Sequence, residues 1–127
     1  MKNLIKSVSL SLLLLVSIVL VSCDGPKKSQ LEGTWGVRSI SENGFSFIPI
    51  YGSGSYATFN SNGTFKSSGD FGSYNGIWRK NGKDIYITQD GERVCVYTIQ
   101  TITDDEAGFK IIPNDSDPYW VICYKWD

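Results

Sequence analysis

Covalent chemistry has one clear place to occur in this chain, and it lies near the start. Cys23 follows Leu20-Val21-Ser22 at the end of an apolar stretch, Val8 to Val21, that is preceded by Lys2 and Lys6. A cationic start, a short greasy segment and small residues before a cleavage point mark an export signal. The uncharged run from Ser7 to Ser22 is shorter than the roughly 20 residues that a membrane-spanning helix needs. The other thiols, Cys95 and Cys123, each fall in a strand-like run. In an oxidising compartment they can pair, and burial as free apolar groups is the alternative.

Other chemistry finds little footing. The sequence contains no histidine, which removes the commonest metal ligand and general base. Its carboxylates (Asp84, Asp90, Glu92, Asp104, Asp105, Glu106, Asp115, Asp117) fall almost wholly in turn-like segments, where solvated surface is the default. No serine sits in a Gly-x-Ser-x-Gly elbow. Asp115-Ser116-Asp117 beside Asn114 lacks the spaced ligands and terminal glutamate of a calcium loop. The expectation is a protein without catalytic residues, metal or cofactor.

The segment ending Leu20-Val21-Ser22-Cys23 resembles the bacterial lipoprotein signal, the lipobox. That resemblance implies cleavage before Cys23, diacylation of its thiol and usually a third acyl chain on the new amino group. Two or more buried chains hold a protein stably on a membrane, where one binds only marginally. Residues 1–22 then form the leader, residues 23–30 a lipidated polar tether with a Gly25-Pro26 break, and residues 31–127 one small domain. Loss of Lys2 and Lys6 leaves three more acids than bases and no basic cluster, which argues against nucleic acid as a partner.

Aromatic and β-branched residues interrupted by glycine predict strands and tight turns rather than helices. Eight strand-like runs occur, at about Thr34–Glu42, Tyr56–Asn60, Thr64–Ser68, Ser73–Lys80, Asp84–Gln89, Arg93–Ile102, Gly108–Ile112 and Tyr119–Trp126. Asn62-Gly63, Asn81-Gly82 and Asp90-Gly91 accept the positive φ that short hairpin loops require. Even spacing without helical segments predicts an antiparallel meander, and eight short strands close most naturally into a barrel. Alternation places Ala57/Phe59, Ile85/Ile87, Phe109/Ile111 and Trp120/Ile122/Tyr124 on inward faces, while both registers of Val94–Ile99 are apolar.

At the first strand Gly33-Thr34-Trp35 resembles the Gly-x-Trp opening of lipocalins and related ligand-binding barrels. The layout as a whole is similar to the small lipocalin-like lipoproteins common in Bacteroidetes. It includes Phe59-Asn60-Ser61-Asn62-Gly63-Thr64-Phe65 and a second Gly-x-Trp at Gly76-Ile77-Trp78. The resemblance implies an all-β, eight-stranded antiparallel up-and-down barrel behind a lipoprotein signal peptide. It implies that Gly33 permits the turn into the first strand and that Trp35 plugs the closed end. A last-strand cation lies over that tryptophan in the family; Lys125 is the candidate, with Arg38 and Arg79 as stand-ins. The helix pair, the Arg-x-Tyr carboxylate clamp and the Thr-Asp-Tyr motif of relatives are missing here, so ligand identity stays open.

The segment Asn43–Ser55 carries Phe45, Phe47, Ile48, Ile50 and Tyr51 among glycines. A long loop of this kind is often a binding element, and the bland alternative is cover for the barrel end. The candidate ligand-binding set is Phe45, Phe47, Ile50, Tyr51, Trp78, Tyr97, Phe109 and Tyr124. A barrel of eight strands either fills with its own side chains or holds one small guest. Two functions follow: an envelope-anchored binder of a small apolar or amphipathic molecule, or a filled barrel that contacts a protein as an inhibitor or accessory subunit. In either case the expected site is the outer membrane, facing the periplasm.

Overall fold

A computed structural model describes residues 25–50 and 54–126; the leader, Cys23 and Tyr51 lie outside the described residues. A single helical turn, α1 (Lys28–Leu31), leads into β1 (Gly33–Ser41). There follow β2 (Ile48–Pro49), β3 (Tyr56–Phe59), β4 (Thr64–Ser68), a 3-10 turn at Gly69–Phe71 and β5 (Asn75–Asn81). The chain continues through β6 (Asp84–Gln89), β7 (Glu92–Ile102), β8 (Glu106–Pro113) and β9 (Tyr119–Lys125). Strands β1 and β3 to β9 pair antiparallel with their sequence neighbours, and β1 also pairs with β9, which closes an eight-stranded up-and-down barrel. At the turn between β6 and β7, Asp90 (φ 54°) and Gly91 (φ 82°) both adopt the left-handed region that a two-residue loop between twisted strands demands.

Alternation builds the interior. Ala57, Phe59, Phe65, Ile85, Ile87, Cys95, Tyr97, Phe109 and Ile111 all point inward and are buried. On β9 the expected register is corrected: Val121 and Cys123 are buried, while Trp120, Ile122 and Tyr124 are not. Cross-strand pairing decides it, because Phe109 faces Val121 and Ala107 faces Cys123, and partners across a ladder share one face.

The same register rules out the Cys95–Cys123 bridge, and both thiols are free and buried. Cys95 pairs with Pro113 at one end of β8 and Cys123 with Ala107 at the other. Those positions are roughly 20 Å apart along the strand, at about 3.3 Å per residue. A disulfide needs its Cα atoms within about 7 Å. Burial instead pushes the Cys95 thiol up to about 12 and the Cys123 thiol higher still, so both stay protonated and unreactive at neutral pH.

Both ends of the cylinder are stopped by side chains. At the closed end the Trp35 indole donates to the Leu31 carbonyl at 2.9 Å, and Lys125 Nζ lies 5.2 Å from the Trp35 ring centroid. At the opposite end Phe71 stacks on Tyr97 with ring centroids 6.1 Å apart and planes 10° from parallel. The Tyr97 hydroxyl donates to the Phe71 carbonyl at 3.2 Å, and the Tyr119 hydroxyl donates to the Asp70 carbonyl. Between these stops, Phe59 touches Phe65, Trp78, Tyr97 and Phe109 at centroid distances of 5.0 to 6.4 Å. The axis is a continuous column of rings.

Candidate functional site

With rings along the axis, the prominent concavity is in the wall. β3 pairs with β1 only over Gly33–Gly36, and β2 pairs with it only at Ser39 and Ile40. Between these two partners the wall thins at Val37 and Arg38. On its β9 side β1 bulges there: Val37 pairs with Cys123 and Ser39 with Ile122, leaving Arg38 as the extra residue. A bulge re-aims side chains, and this one turns both Arg38 and Ser39 outward. The result is a lateral groove of about 950 Å³, floored by Val37, Ser39 and Ser55 and walled by Phe47, Pro49, Ile50, Tyr124 and Trp126.

Gly36 makes room for one wall. It pairs with Tyr56 on β3 and with Tyr124 on β9, so two tyrosines flank a position that has no side chain. A Cβ there would lie 2.3 Å from the Trp126 indole nitrogen and 2.9 Å from Tyr124 Cζ. The Trp126 ring therefore lies down against β1, 6.1 Å from Tyr56 and 6.3 Å from Tyr124. At the rim the Arg38 guanidinium sits 5.6 Å from the Tyr124 ring and 3.4 Å from Glu106. That ion pair is half-exposed on both sides, so it is worth no more than about 1 kcal/mol. Its consequence is chemical: an apolar slot with a charged, hydrogen-bonding edge suits an amphipathic guest.

The expected ligand-binding residues divide. Phe47, Ile50 and Tyr124 meet in the lateral groove. Trp78, Tyr97 and Phe109 do not reach it; they are packed in the filled interior, which corrects their placement around a barrel cavity. Phe45 stands away from both, 90% exposed at the tip of a turn. Tyr51 lies outside the described residues. The turn is held rigidly: Asn43 Oδ1 accepts the backbone N–H of Phe45 and Ser46 at 2.8 and 2.9 Å. Ser41 Oγ accepts that of Gly44 at 2.9 Å. The segment expected to be bare loop also contributes the short strand β2, which docks on the upper half of β1.

Val37, Arg38, Pro49 and Trp126 are groove residues that sequence reading passed over. Trp126 had a visible signal, because a large aromatic two residues beyond Tyr124 extends the same outward face. Arg38 had none, since a bulge leaves no mark in alternation until the register of β9 is known.

An eight-stranded closed antiparallel barrel that opens on Gly-x-Trp, with a cation over that tryptophan, defines a lipocalin-like protein. The sequence over residues 31–106 matches the model of the Lipocalin-like domain family, and the chain belongs to that family. Its structure is similar to that of a lipocalin-like protein from Bacteroides uniformis, with a TM-score of 0.54 at 13% identity. The likeness covers 76% of this chain and 99% of that one, and it shows the fold. No curated protein matches the sequence. Among the described residues no group of three His, Cys, Asp or Glu converges as metal ligands would, and no helix is long and apolar enough to cross a membrane.

Proposed function

We propose that this chain is an envelope-anchored, non-enzymatic lipoprotein whose barrel is filled and whose lateral groove takes a small apolar or amphipathic molecule. The observation that carries the reading is the groove itself, about 950 Å³ with apolar walls and one ion pair at its rim. That size lies at the upper end of the range for ligand sites, roughly 300–1,000 Å³. The anchor rests on Cys23 and its lipobox, which supply the acyl chains and direct the protein to the envelope, with the outer membrane as the expected home. The partners are therefore the membrane, through Cys23, and the guest in the groove.

Native mass spectrometry of the full chain, released from detergent after incubation with long-chain fatty acid and lysophospholipid, tests the reading. A bound adduct that disappears in the Phe47→Asp/Ile50→Asp variant is the expected result. Bare protein at every lipid concentration contradicts ligand binding.

One observation favours a protein contact instead. Phe45 (90% exposed) projects from a turn that hydrogen bonds keep rigid, and Ile48 (68% exposed) stands out from the short strand β2 that follows, as a preordered anchor would. The two readings separate at one substitution: a groove ligand tolerates Phe45→Ser, and a partner interface built on that ring does not.

A further inference from the structure

The closed end of the barrel is electrically lopsided, and the chain leaves it on the basic side. Gly25 packs on the hairpin between β5 and β6 so closely that a Cβ there would lie 2.1 Å from the Gly82 carbonyl oxygen. Near that contact in the chain stand Lys27 and Lys28 at the start of α1 and Lys83 in the hairpin turn, with Arg79 farther along β5 on the outer wall. Lys27, Lys28, Arg79 and Lys83 are exposed. Lys28 lies 5.1 Å from the Trp78 ring, which fixes the tether side of the cluster against the wall. Three acids are near in sequence: Asp24, directly before Gly25; Asp84, which accepts the Thr98 hydroxyl at 2.9 Å; and Glu32.

The other side of the same end is acidic. Asp104, Asp105 and Glu106 follow β7 and open β8; Arg38 pairs with Glu106, and Lys125 offsets the two aspartates little because its ammonium turns inward over Trp35 and toward the Gln30 carbonyl.

We infer that the basic cluster of Lys27, Lys28 and Lys83 is a docking surface for the anionic headgroups of the bilayer that holds the acyl chains. The inference rests on the anchor reading proposed above. Cys23 lies two residues before Gly25, no more than about 7 Å of extended chain. Gly25 therefore rides within about one Debye length, roughly 8 Å at physiological salt, of the lipid attachment point, and the cations follow it closely in the chain or on the hairpin it packs against. At that range each contributes favourably to attraction toward anionic lipid, whatever the net charge of the whole protein. The barrel then tilts with the β5–β6 hairpin down, the acidic β7–β8 turn lifted, and the Phe45 turn at the far end of β1 facing away from the membrane.

Hydrogen exchange read by mass spectrometry tests this on the full acylated chain in vesicles of phosphatidylcholine, with and without phosphatidylglycerol. The amides of Asn81–Asp84 should exchange about fivefold more slowly on the anionic vesicles, the effect of one engaged cation. The amides of Thr103–Asp105 should not change. The Lys27→Glu/Lys83→Glu variant should lose the difference, as should the native chain at high salt. Equal hairpin exchange on both lipids, with acyl mass present on the N-terminal peptide, overturns the docking surface and leaves the anchor standing. An N-terminal peptide without acyl mass overturns both.

Discussion

Tyr97→Ala should lower the folding free energy by about 3–5 kcal/mol, the cost of removing a large ring from a core that cannot collapse around the hole. Tyr97 is fully buried and has four aromatic neighbours: Phe59, Phe65, Phe71 and Phe109, at centroid distances of 5.8 to 6.1 Å. It also holds the 3-10 turn that stops the barrel, through the Phe71 carbonyl. Tyr97→Phe keeps the rings in contact and removes only that hydrogen bond, so its cost should be nearer 1 kcal/mol. Equilibrium unfolding in denaturant measures both. Were the interior a ligand chamber, Tyr97→Ala would merely enlarge it and cost under about 1 kcal/mol, the range for positions away from close packing. The size of the loss thus distinguishes a filled barrel from a hollow one.

The second large effect belongs to the groove. Trp126→Ala should weaken binding of an apolar amphiphile by about 30-fold, the loss of an aromatic anchor worth roughly 2 kcal/mol. Stability should hardly move, because Trp126 lies beyond the end of β9 and is 48% exposed. Gly36→Val should act in the same direction from beneath, since its side chain would occupy the space where the Trp126 indole and the Tyr124 ring now lie. The backbone at Gly36 has no positive φ, and β-branched residues suit a strand, so the barrel should accept the substitution. Fluorescence titration with an uncharged naphthylamine probe reads both variants. Unchanged affinity in both would place binding elsewhere.

Much of the fold was legible because hairpin chemistry is local. Asn-Gly and Asp-Gly pairs fall at the turns, and the eight barrel strands lie within one or two residues of the apolar alternations that predict them. At the closed end Lys125 lies over Trp35, the pair that the lipocalin resemblance names. What misled was β9, where every residue from Tyr119 to Tyr124 is large or apolar and neither register is polar. A constraint was nevertheless present. Trp35 and Lys125 are cross-strand partners, so a lysine above an inward tryptophan places Val121 and Cys123 inward and Tyr124 outward.

The plug and the groove were harder to read for a different reason. Phe71 sits in Gly69-Asp70-Phe71-Gly72, which reads as a turn. Nothing local shows that its ring folds back onto Tyr97, because the contact joins segments 26 residues apart. The groove depends on where β3 stops and β2 begins along β1, a property of register rather than composition. The alternatives left by the sequence, hollow or filled, were both compatible with the same aromatic content; the ring distances along the axis decide between them.

The central claim is that this family barrel is packed through and receives its guest through the wall. Its most direct test is a map of amide chemical-shift changes on titrating the same naphthylamine probe into isotope-labelled protein. Shifts concentrated at Val37–Ser39, Ile50, Tyr124 and Trp126, with Tyr97 and Phe109 unmoved, are the predicted result. Shifts centred on Phe59, Tyr97 and Phe109 would mean the probe enters the cylinder, and would contradict the account.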